Sequence, residues 1–152
     1  MSGSQTFERL SREALEEHQQ IHFYLDQVAH ALHELREGLS DVEPMRRLAA
    51  QIVSLRERLE EHHQHEEQGG LFQAILEIFP GSRVEISRLI KQHERMIEIL
   101  ELARIHAQCA QASEADALRV DLSNFLEIFR RHERDEERLL ERALEKETRV
   151  VE

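Results

Sequence analysis

Four stretches of this chain repeat apolar residues at spacings of three and four, and each repeat is interrupted by histidine where a core leucine belongs. Spacings of three and four keep residues on one face of an α-helix. Three breaker segments separate the stretches. "EGLSDVEP" (37–44) carries a glycine, the cap candidates Ser40 and Asp41, and a proline tolerated in a first turn. "FPGSRVE" (79–85) carries Pro, Gly and a capping box from Ser82 to Glu85, and "CAQASEAD" (109–116) offers Ser113 with Asp116 three residues on. The pattern predicts helices over roughly 7–37, 42–76, 83–111 and 114–147. Short connections make neighbours antiparallel, so the expected fold is all-α, an up-down-up-down four-helix bundle. A chain of 152 residues supplies one core, and we read 1–152 as a single domain with its core at about 7–147.

The inward seam predicted for the first helix is Leu15, His18, His22, Leu25, Ala29 and Leu32. For the second it is Leu48, Ile52, Leu55, Leu59, His62 and Glu66. The third gives Ile86, Leu89 or Ile90, His93, Met96 or Ile97, and Leu100. The fourth gives Leu118, Leu122, Phe125, Phe129, His132, Glu136, Leu139 and Ala143. The second and fourth helices agree position by position: both histidines follow apolar residues at the same four offsets and precede a glutamate by four. Counted from the end carrying the loops near 37–42 and 111–114, the seam histidines lie between 15 and 20 residues along their helices. Antiparallel helices rise equally, about 1.5 Å per residue, so these side chains meet in one layer.

Burying such a layer without partners costs on the order of 1–3 kcal/mol for each unsatisfied polar group, and more for a charge. A hydrogen-bonded network must satisfy every donor and acceptor, whereas a metal ion takes neutral imidazole and carboxylate directly. Six or seven donors exceed the four of a structural zinc site and suit two ions sharing carboxylates. The lone Cys109 sits at the far loop and offers no thiolate to the layer. An imidazole-dominated donor set therefore points to a non-haem di-iron centre.

The stretches "EEHQQIH", "EHHQHEEQGGLF", "KQHERM" and "RRHERDEERLL" follow the order His, His-x3-Glu, His, His-x3-Glu. In this the chain resembles the hemerythrin-like, or HHE cation-binding, family over nearly its whole length. The resemblance implies ligation of two iron ions by His18, His62, Glu66, His93, His132 and Glu136, with the glutamates as bridges. Oxygen-carrying hemerythrins place two histidines one turn apart on the third helix, where this chain has Leu89 and Ile97 beside His93. His22, on the seam with His18, is the expected further donor. His63 and His65 fall off the seam as solvated flank residues, with the alternatives of a role supporting the ligands from outside or a shifted register pairing His63 with Glu67. His30, His33 and His106 are expected at the surface. Phe125 and Phe129 are expected as ordinary core, and with Leu25 and Leu59 they are also the candidates for the dry wall of a small-ligand pocket.

The function implied is binding or sensing of dioxygen, or of nitric oxide or peroxide, without obligatory turnover. The alternatives are a di-iron peroxidase or ferroxidase, and a sensing module that signals through an unidentified protein partner. A formal charge of −11 argues against nucleic acid and against an anionic membrane surface. The first residues lack the apolar run of a signal peptide, and with one cysteine a cytoplasmic address is expected.

Overall fold

A computed structural model describes residues 3–35, 42–109 and 114–151 of the chain. The cap candidates Ser40, Asp41 and Ser113, and the expected helix ends at 37 and 111, lie outside the described residues. Four long helices and one short one follow in order: α1 (Gly3–Glu34), α2 (Val42–Glu67), α3 (Leu71–Ile78), α4 (Arg83–Cys109) and α5 (Glu114–Val151), with a 3-10 turn at Pro80–Ser82 before α4. Helix α2 packs between α1 and α4, and α4 packs on α5. No described helix is long and apolar enough to cross a membrane.

The core is split in two. One apolar cluster joins Ile21–Ala31 of α1 and Leu35 just beyond it, Met45–Leu59 of α2, Met96–Ala107 of α4 and Leu118–Phe129 of α5. The other joins Phe7 and Ala14 of α1, Leu71, Phe72 and Ile75 of α3, Ile86 and Leu89 of α4, and Leu139–Ala143 of α5. Along the chain, α1 and α4 run from the second cluster to the first, whereas α5 runs back. Helix α2 starts in the first cluster and ends where α3 enters the second, giving the antiparallel alternation that short connections require. The histidine layer falls between the two clusters.

All six expected inward residues of α2 and all eight of α5 are buried. In α4 the buried alternatives are Leu89 and Met96, with Ile90 and Ile97 half-buried. Helix α1 departs from its expected seam. Leu15 is 46% exposed, and His22 and Ala29 are also exposed, while Ala14, Ile21 and Val28 take the inward places. Both frames share His18 and Leu25 and repeat every seven residues. The one adopted places Phe7, Ala14, Ile21, Val28 and Leu35 inward, all apolar.

The second helix, expected to reach 76, stops at Glu67. The amides of Gln68 and Gly69 both donate to the Gln64 carbonyl, and a Cβ at residue 69 would collide with the carbonyl of His65. Gly70 then takes φ 109°, a left-handed conformation that side-chain-bearing residues disfavour. The reversal turns α3 so that Leu71, Phe72 and Ile75 close the end of the bundle nearest the layer. The expected capping box before α4 does not form: the Ser82 hydroxyl donates to the Phe79 carbonyl at 2.7 Å, and Glu85 accepts from Arg142 at 2.6 Å.

Candidate metal centre

The layer is built by the i, i+4 geometry of α2 and α5, which puts Glu66 one turn beyond His62 and Glu136 one turn beyond His132. His18 from α1 and His93 from α4 complete it. All six residues are at most 5% exposed. They form two groups of four: His18, His62, Glu66 and Glu136 on one side, and Glu66, His93, His132 and Glu136 on the other. In each group one nitrogen or oxygen per residue lies within 4.8 Å of the others, and both groups use both glutamates.

The orientation of three of the rings is fixed from outside the layer. His62 Nδ1 faces Glu17 at 3.3 Å, His93 Nδ1 faces Glu67 at 3.0 Å, and His132 Nδ1 faces the Gln92 carbonyl oxygen at 2.8 Å. The Gln92 amide nitrogen is engaged with Asp135 at 2.9 Å, which leaves its oxygen for His132. Each of these partners accepts, so each Nδ1 carries the proton and each Nε2 turns a bare lone pair inward. There the rings meet one another, His18 Nε2 to His62 Nε2 at 3.0 Å and His93 Nε2 to His132 Nε2 at 3.2 Å. They also meet the carboxylates at 3.0 to 3.3 Å. Despite that proximity, none of the four oxygens of Glu66 and Glu136 has a hydrogen-bond partner of acceptable geometry. Lone pairs converging on lone pairs in a dry interior are satisfied by cations, and the donors present fit metal ions.

The electrostatics agree. Burial, with the charge of His132 and despite that of Glu136, depresses the His93 imidazole to about 2, so protons do not compete for its nitrogen near neutrality. Burial and the adjacent Glu136 carboxylate push Glu66 well above the usual carboxylate range. Two buried carboxylates this close resist being charged together when no cation neutralises them.

The hemerythrin HHE cation binding domain matches this chain over residues 9–144. The chain belongs to that family. Compared with curated proteins and with solved structures, this hemerythrin-like chain gives no significant match. Family membership and the buried groups together make it a metal-cation-binding bundle.

Of the seven residues expected as ligands in this hemerythrin-like bundle, six come together and His22 does not. Its side chain is 52% exposed, lies edge-on to Phe129 and pairs with Glu133 at 2.8 Å. Ile21 holds the inward place that His22 was expected to take. His22→Ala is therefore expected to leave the metal content per chain unchanged. It should shift the melting temperature by no more than a few degrees, since an exposed ion pair contributes little; metal analysis beside a thermal melt checks both.

His63 departs in the opposite sense. Expected at the solvated flank, it is only 5% exposed and stacks on His93, with centroids 3.7 Å apart and planes 10° from parallel. Its Nε2 has no partner, and burial with the neighbouring imidazoles pushes its pKa far down. His65 is exposed as expected and reaches Glu17 at 2.7 Å. His30 and His33 are exposed, while His106 is partly buried against Asp121 at 2.6 Å. Leu25, Leu59, Phe125 and Phe129 are buried in the apolar cluster beside the layer. A cleft of about 500 Å³ lies between α2 and α4, lined by residues including Glu60, His63, Glu67, His93, Glu94 and Ile97. Sequence reasoning missed Glu17 and Gln92, and set Glu67 beside His63 and not His93, because each orients a histidine on another helix, which spacing within one helix does not reveal.

Proposed function

We propose that this hemerythrin-like bundle holds two iron ions and binds dioxygen, or a related small ligand such as nitric oxide or peroxide, in oxygen binding or sensing. The observation that carries the reading is the pair of four-donor groups sharing Glu66 and Glu136. His18 and His62 with the two glutamates would hold one ion, and His93 and His132 with the same glutamates the other, a donor set that would leave room for a small ligand. Iron held there would supply the reversible electron donation that binding of such a ligand requires. The protein's part is to hold the geometry. Glu17, Glu67 and Gln92 fix three rings with Nε2 inward. The two apolar clusters exclude water on either side of the layer, which strengthens the electrostatics within it.

The test is metal analysis of untagged protein purified without chelator, followed by absorption spectra of the reduced form before and after exposure to air. Two irons per chain and a charge-transfer band that rises in air and fades on deoxygenation are expected. Irreversible bleaching to a ferric form would move the reading to peroxide or other redox turnover. Zinc alone, or a single ion per chain, would overturn the di-iron assignment.

A further inference from the structure

His93 belongs to the inner layer and also lines the cleft between α2 and α4, so this cleft reaches the site from the surface. Three carboxylates line it: Glu94, Glu67, which faces His93, and Glu60, which also pairs with Arg56 at 2.9 Å. Between them and the layer stands His63, buried at the edge of the cleft and stacked on His93, with a ring nitrogen that no protein group satisfies. A buried imidazole without a partner, placed between an acidic surface and a set of inward lone pairs, needs a role of its own.

We propose that this cleft is the route by which a divalent cation reaches the His/Glu layer, with Glu60 and Glu94 gathering it at the mouth and His63 acting as the transit ligand that passes it to His93. The inference rests on the metal-binding reading of the layer. Carboxylates of one sign in a concave surface raise the local concentration of a cation and its association rate. Carboxylate oxygen followed by imidazole nitrogen also matches the order in which a hydrated divalent ion sheds water and acquires firmer ligands. The parallel stack brings His63 beside His93 without making it a member of either four-donor group. It can therefore serve passage without altering the final coordination.

The test uses the metal-free full chain and Co(II) as the probe, with uptake followed by stopped-flow visible absorption and the final content by metal analysis. Glu60→Gln with Glu94→Gln, and separately His63→Leu, are each expected to slow uptake about tenfold while reaching the wild-type stoichiometry. Added salt should slow the wild type and have little effect on the carboxylate variant. The control Glu8→Gln with Glu141→Gln, in the groove between α1 and α5, is expected to load at the wild-type rate. Unchanged uptake in the carboxylate variant, which alters only surface groups, would overturn the route. A lowered final stoichiometry in His63→Leu would overturn the transit role and make His63 part of the holding site. Failure of the wild type to bind Co(II) at all would defeat the metal-binding reading itself, a distinct outcome from wild-type loading by another path.

Discussion

Replacing Glu66 and Glu136 together by leucine is expected to make the metal-free protein more stable while abolishing its capacity for metal. Both side chains are almost wholly buried, and their four oxygens lack partners of acceptable geometry. Each such group costs on the order of 1–3 kcal/mol when no cation is present. Exchanging buried charged groups for apolar ones of similar volume commonly gains about 1–4 kcal/mol. In a chain of this length each kcal/mol moves the midpoint by about 2–4 °C, so a rise of roughly 5–10 °C is expected in chelator. The two leucines would also join the apolar clusters across the layer. Thermal melts with chelator, paired with metal analysis, measure both halves of the expectation. A double variant that melts below the metal-free wild type would show that the layer is a satisfied hydrogen-bond network and not a set of lone pairs awaiting cations.

Metal should do to the wild type what the leucines do to the variant. Ions that bind only the folded chain stabilise it by about 4 kcal/mol when present at a thousandfold over the dissociation constant. At the same sensitivity that corresponds to a rise of about 10 °C or more. Calorimetry of the wild type with Fe(II) under anaerobic conditions, then with excess chelator, should show the rise and its reversal. The leucine double variant should melt at one temperature under both conditions. An unmoved midpoint in the wild type would mean that the inward lone pairs do not bind the ion.

The bundle and most of the layer were legible because the same constraint is written twice. In α2 and α5 the apolar offsets leading to His62 and His132 coincide, and each histidine is followed by a glutamate one turn on. Repetition of that kind fixes which face is inward without knowledge of the neighbours. Helix α1 has no such echo. Its two frames share His18 and Leu25, and the second donor offered by His22 made the wrong frame attractive, although Ile21 and Val28 bury more apolar surface. His63 was misread for a different reason. A one-sided amphipathic helix buries one stripe, but α2 lies between α1 and α4. It turns His62 toward Glu17 and His18, and His63 toward His93. The glycine pair at 69 and 70 announced an interruption, yet the direction of the chain beyond it depends on the left-handed φ at Gly70 and on the packing of Phe72 and Ile75.

Both four-donor groups contain Glu136, which has a consequence for synthesis. The ribosome makes His18, His62, Glu66 and His93 before Glu136, so neither group is complete while α1, α2 and α4 are the only long helices formed. A complete four-donor group cannot then serve as the template on which the earlier helices assemble. Full coordination requires α5, so retention of metal is expected to report that α5 has docked in register.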